Sequence, residues 1–99
     1  MASNMTTVPG HLIPLGYQQI TSLSGSTALT VPDKASLAVI QPESQNVRYR
    51  DDGVAPTAST GMKIVANDLL FYTGDFSAIR FIEETGSAKL NVTYYRNNG

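Results

Sequence analysis

The chain has 99 residues, of which 41% are hydrophobic and 15% charged, with seven basic residues against eight acidic ones. This length predicts a single small domain with a thin core, and the composition is typical of a folded chain rather than a disordered one. The formal net charge of −1 supplies no long-range field for a polyanion, so we do not expect nucleic acid as the main partner.

The first predicted element is an extended N-terminal arm over residues 1–16 (MASNMTTVPGHLIPLG). Two prolines and two glycines in this stretch prevent a helix and interrupt a strand. The arm is nevertheless more apolar than a freely solvated tail, through Val8, Leu12, Ile13 and Leu15. We therefore assign these four residues to a protein contact, made either with the arm's own domain or with a neighbouring subunit.

Residues 17–99 form the predicted domain, in which short β-rich runs are separated by turn residues at the spacing expected of a sandwich or barrel. Eight strands are predicted, at 17–23, 28–31, 36–41, 46–50, 62–65, 69–72, 78–83 and 89–95. No segment keeps a helical period over three turns, so no substantial helix is expected. The predicted fold is all-β: a small antiparallel β-sandwich or a jelly-roll-like barrel.

Alternation of polar and apolar residues is clearest in three of these strands, 46–50, 78–83 and 89–95. In the first, Val47 and Tyr49 lie on one face while Arg48 and Arg50 lie on the other. Such a strand is half buried, as in an antiparallel sheet with one face in water. The Asp-Gly pair that ends with Gly53 predicts a turn in which the glycine takes a positive φ angle.

No set of residues predicts catalysis or metal binding. The single histidine, His11, lies in the irregular arm, and the chain has no cysteine, so neither a nucleophile–base pair nor a zinc site is expected. The acidic pair Asp51 and Asp52 precedes a glycine but lacks the carboxylate spacing of a calcium loop. We predict no enzyme activity and no cofactor.

Membrane insertion is not expected either. No run approaches the roughly 20 apolar residues of a membrane span, and no signal-peptide pattern is visible at the N-terminus. These features predict a soluble protein that is made in the cytosol. Without disulfides or metals, self-association is the remaining device by which a small core gains stability, so we expect a multimer.

A second candidate interface is formed by the arginines Arg48, Arg50 and Arg80 together with Tyr49 and Tyr95. Three interpretations of these residues remain open. They could be a solvated sheet face on which each arginine pairs with an acid, a protein interface anchored by arginine and tyrosine, or a surface for sugar or RNA.

Four segments carry a resemblance to known proteins: QNVRYRDDG at 45–53 with PT at 56–57, GDFSAIRFI at 74–82, and LNVTYY at 90–95. Over about Leu29 to Tyr95 the chain resembles a group of small structural proteins of tailed bacteriophages and prophages. Small β-sandwich proteins of phages often serve as decoration or cement proteins, which bind the capsid exterior between major capsid subunits and resist the pressure of packaged DNA.

The resemblance implies a virion protein on the capsid surface, made in the host bacterial cytoplasm, with the major capsid protein as its partner. It also implies a homo-oligomer, either a trimer or another symmetric cluster. One alternative is a tail-associated module that binds host-surface carbohydrate through its tyrosine-rich strands. Another is a small prophage protein with a regulatory binding role.

Overall fold

The structure, a computed structural model, describes residues 12–97. These residues form eight β-strands in two four-stranded antiparallel sheets, with no helix among them. The all-β prediction is therefore confirmed. The strands are β1 (Leu12–Ile20), β2 (Thr27–Ala28), β3 (Leu37–Glu43), β4 (Val47–Arg50), β5 (Met62–Ile64), β6 (Leu70–Tyr72), β7 (Arg80–Glu83) and β8 (Lys89–Asn97).

The strands divide between the sheets in an order that is far from sequential. The first sheet has the order β1-β8-β3-β6, and the second sheet has the order β2-β7-β4-β5. The chain changes sheet at every connection except the one between β4 and β5. Long-range antiparallel pairing therefore dominates the fold.

One hydrophobic cluster holds the domain together and takes side chains from both sheets. Its fully buried members include Tyr94 and Ile40 from the first sheet and Phe81 and Val47 from the second, each at most 1% exposed. In each of these strands the next residue along faces away from the cluster, as the alternation predicts. We call the side of each sheet that faces away from this cluster its outer face.

The first strand begins earlier than the sequence predicts. β1 starts at Leu12 rather than at Tyr17, and residues 12–20 pair with β8. Two features make Pro14 compatible with a strand: β1 lies at the edge of the first sheet, and the register shifts between Pro14 and Gly16. Residues 12–16 therefore form a strand, which the sequence interpretation did not expect, and they make the contact with their own domain, one of the two left open for the arm. Residues 1–11 lie outside the described residues.

The longest connection joins β4 to β5 across residues 51–61. Gly53 has a φ of 86° in this loop, as the turn prediction requires, and Thr57 forms an isolated bridge with Thr60. In residues 12–97 there is no helix whose length and hydropathy would allow it to cross a membrane.

Candidate protein interface

The apolar residues predicted for the arm lie in a paired strand instead. Leu12, Ile13 and Leu15 are half-buried residues of β1, and Leu15 packs against the core. The backbone of this strand is hydrogen-bonded to β8. These three residues are therefore part of the sheet, and Val8 lies outside the described residues.

Arg48 lies on the outer face of the second sheet, where it forms part of a small ion network. Its Nε atom is 2.8 Å from Glu84 Oε2, and its NH1 group donates to the carbonyl of Gly61 at 2.9 Å. Lys63 Nζ is 3.6 Å from Oε1 of the same carboxylate. Burial opposes ionisation of Glu84, but hydrogen bonding from Asn46 and these two cations outweigh it and lower its pKa.

Arg50 and Arg80 lie opposite each other in the register of β4 and β7, on the same outer face. Arg50 forms a two-point contact with Asp52, Nε to Oδ1 at 3.0 Å and NH2 to Oδ2 at 2.5 Å, which lowers the pKa of Asp52. Arg80 NH1 instead donates to the carbonyls of Ser77 and Ile79, both at 2.9 Å. Pairing with acids thus describes Arg48 and Arg50, whereas Arg80 is held by backbone carbonyls.

The tyrosines predicted to share this face lie elsewhere. Tyr49 points toward the core, where its ring lies 6.0 Å from that of Phe81. Tyr95 is in β8 on the outer face of the first sheet, because its neighbour Tyr94 is buried. The structure therefore does not bring Arg48, Arg50 and Arg80 together with Tyr49 and Tyr95. Consecutive residues of a strand project to opposite faces, so Tyr49 could not join the arginines on either side of it.

The outer face of the first sheet holds the apolar surface that the sequence analysis missed. One register row crosses the whole sheet: Tyr17 pairs with Thr93, Thr93 with Val39, and Val39 with Phe71. Tyr17 is 64% exposed and Phe71 44%, and nearby Leu69 is 54% exposed. No residue of this row carries a charge. Exposed apolar side chains gathered on one face are typical of a contact surface.

Polar side chains fix the position of Tyr17 on this face. Its hydroxyl donates to Asn91 Oδ1 at 2.6 Å, and Gln19 Nε2 donates to the same oxygen at 2.9 Å. Asn91 Nδ2 in turn donates to Glu43 Oε1 at 3.1 Å. Asn91 lies two residues from Thr93, the partner of Tyr17 in β8. The hydrogen bond from the Tyr17 hydroxyl to Asn91 therefore lays the aromatic ring over the sheet surface. Beside it is a shallow hollow of about 170 Å³ that Leu69 also lines.

A sequence signal for this face does exist in two of the predicted strands. β3 places Val39 between the core residues Ala38 and Ile40, and β6 places Phe71 next to the buried Tyr72. A strand that is apolar on both faces indicates that both faces are covered, as in a sheet buried on two sides. The continuous apolar runs LAVI and LLFY therefore pointed to this surface.

Residues 12–97 contain no group of three or more metal-ligating side chains. The chain matches no protein-family model, no curated protein and no solved structure.

Proposed function

We propose that this chain is an accessory structural protein of a bacteriophage virion, a decoration or cement protein that binds the major capsid protein lattice and stabilises the head. The outer face of the first sheet, formed around Tyr17, Val39, Leu69 and Phe71, is the surface that docks. The proposal requires no catalysis and no cofactor. It places the protein on the capsid surface after synthesis in the host cytoplasm.

One observation carries the proposal: an uncharged row crosses the complete four-stranded sheet and exposes an aromatic side chain at each end, Tyr17 and Phe71. Docking removes these side chains from water, at roughly 25 cal/mol per Å² of apolar area. The absence of charge in the row means that no ion has to be desolvated on contact. Aromatic residues such as Tyr17 and Phe71 are also the side chains most enriched in the cores of protein interfaces. The resemblance of residues 29–95 to phage structural proteins is our reason for proposing the capsid as the partner.

The finer architecture belongs to the same proposal. We infer that the two sheets pack face to face as a jelly roll. Two features support this: the shared core cluster, and a strand order in which β8 and β7 lie between strands that are distant in sequence.

The test is binding to capsid shells that lack the chain, measured by co-sedimentation and followed by mass spectrometry of purified virions. Phe71→Asp should weaken shell binding about tenfold or more, because it brings a charge into the contact. Met62→Asp is the matched control, since Met62 is 62% exposed on an edge strand of the second sheet. Absence of the chain from virions, or equal binding by the two variants, would contradict the proposal.

A second candidate function is carbohydrate binding by a tail-associated module. The observation that favours it is the ring of Tyr17, held by a hydrogen bond to Asn91 beside a hollow that Gln41 and Thr93 also line. Exposed aromatic rings next to polar side chains suit a sugar ring. Glycan-array binding that is lost in Tyr17→Ala, together with no binding to shells, would favour this function over decoration. No binding to any glycan on the array would rule out this carbohydrate-binding function.

A further inference from the structure

A second hollow, of about 330 Å³, opens beside the edge strand β1. It is lined by Gly16, Tyr17, Gln18, Thr30, Pro32 and Tyr94, none of which carries a formal charge. The space beside Gly16 is open, because a Cβ atom built there would meet nothing within 4 Å. A side chain from another segment could therefore lie against the backbone of Gly16.

The amide of Gln18 gives this hollow a defined polar group. Its Oε1 atom accepts hydrogen bonds from the hydroxyl of Tyr94 at 2.7 Å and from the backbone N–H of Thr30 at 3.2 Å. These two donors settle which end of the amide is oxygen. The Nε2 group, with two N–H donors, has no acceptor among residues 12–97. The hollow thus presents a fixed donor suited to a peptide carbonyl.

The backbone of β1 can also receive an extended peptide. β1 has β8 as its one partner, so its other edge is open among residues 12–97. Upstream, Pro14 and the register shift make this edge irregular, whereas Tyr17–Ile20 pair with β8 without interruption. An open edge with a side-chain hollow next to it is the arrangement used in strand addition, in which the backbone supplies affinity and the hollow supplies specificity.

The eleven residues that precede β1, MASNMTTVPGH, have the composition that this hollow requires. They contain no Asp, Glu, Lys or Arg. Val8-Pro9 is their most restricted dipeptide, because proline fixes its own φ and favours an extended residue before it. Such a dipeptide loses little conformational entropy on binding. It offers an apolar side chain for the hollow and a carbonyl for Gln18.

The distance along the chain from Val8 to Gly16 indicates whether the inserted segment comes from the same chain as the hollow or from a second copy. Val8 and Gly16 are each four residues from Leu12, so Val8 could meet Gly16 of its own chain only by doubling straight back at Leu12, with no residues left for a turn. In an extended conformation the four residues from Leu12 back to Val8 span about 13 Å, at roughly 3.3 Å per residue. This length carries Val8 away from its own β1 and to a second molecule that packs close to this edge.

We propose that the hollow beside β1 receives Val8 and Pro9 of a second copy of this chain, so that the N-terminal segments link copies into a symmetric cluster. This inference does not depend on the capsid as partner. It assigns Gly16 and Gln18 to the receiving surface and residues 1–11 to the inserted one.

The test is sedimentation of the full-length chain over a range of concentrations, without capsids. The wild type should self-associate, and Val8→Asp and Gly16→Leu should each raise the dissociation constant about tenfold or more. An equimolar mixture of the two variants should recover a complex that contains both. In that mixture the Gly16→Leu chain supplies an intact segment, and the Val8→Asp chain supplies an intact hollow.

Gly25→Leu is the matched control, because a Cβ atom at Gly25 also meets nothing within 4 Å, and it should associate like the wild type. If Gly16→Leu fails to fold by circular dichroism, Gln18→Ala replaces it as the variant with a damaged hollow. A wild type that stays monomeric at every concentration would overturn the proposal. Variants that remain dissociated in the mixture would also overturn it, because an intact segment and an intact hollow on different chains would then fail to bind each other.

Discussion

The two outer faces of this domain differ in how they deal with water. On the second sheet, charged side chains neutralise one another: Arg48 and Lys63 share Glu84, and Arg50 holds Asp52. On the first sheet, the row through Tyr17 and Phe71 carries no charge, and both of these aromatic side chains are exposed. Ion pairs at a protein surface contribute little to the free energy of unfolding, and their charged groups remain in contact with water.

This difference suggests that the two outer faces have different roles, one in docking and the other in contact with solvent. On the second sheet, Arg48, Lys63 and Arg50 already have acidic partners, and docking would strip water from these ion pairs. Arg80 is held by backbone carbonyls on the same face. A face with exposed aromatic and aliphatic side chains gains free energy from any partner that covers it. The first sheet is therefore the docking face of our account, and the second sheet faces solvent.

The largest expected effect contrasts a phenylalanine of the shared core, Phe81, with one on the proposed docking face, Phe71. Phe81→Ala empties a fully buried position that is 0% exposed, and it should lower the free energy of unfolding by about 3–5 kcal/mol. Phe71→Ala, on the outer face of the first sheet, should lower it by less than about 1 kcal/mol. Urea denaturation of both variants measures the contrast. Comparable losses would mean that Phe71 belongs to the core and not to a docking face.

Alkaline unfolding tests the core that the two sheets share. Burial raises the pKa of Tyr94 to about 12, and burial, with hydrogen bonding to Asp51, also raises the pKa of Tyr72. Because an unfolded tyrosine titrates near pH 10, the stabilisation is complete below about pH 10 and is lost as pH rises toward 12. Tyr94→Phe should flatten the fall in unfolding free energy over this range. An unchanged slope in the variant would contradict the burial of Tyr94.

The smallest effect is expected on the charged face. Asp52→Asn removes the partner of Arg50 at an exposed site, so the melting temperature at pH 7 should change little. Shell binding should also be unchanged at low and at high salt. Thermal unfolding and co-sedimentation together measure both. A marked loss of shell binding in Asp52→Asn would move the docking contact to the second sheet.

Much of the fold was predictable because it depends on local rules. All eight predicted strands have a counterpart in the structure, and the turn at Gly53 has the positive φ that its Asp-Gly sequence predicts. These features follow from residue alternation and turn chemistry, which act over a few residues. The early start of β1 was missed because an edge strand and a register shift tolerate Pro14, and neither is visible before the sheet order is known.

The candidate interface was less predictable, for a related reason. Whether Arg80 and Tyr95 share a face depends on which strands pair, and they lie in different sheets. Phe71 and Tyr17 are far apart in sequence and meet in one row only through β8 and β3. Local pattern gives the face of a residue within its strand, whereas long-range register decides which residues become neighbours.

The most direct test of the account is the orientation of the domain on the capsid, observed by cryo-electron microscopy of shells reconstituted with the purified chain. The account predicts that the first sheet faces the shell, with Tyr17 and Phe71 covered by the major capsid protein, while Arg48 and Arg50 face solvent. A map in which Tyr17 and Phe71 face solvent and the second sheet contacts the shell would contradict it.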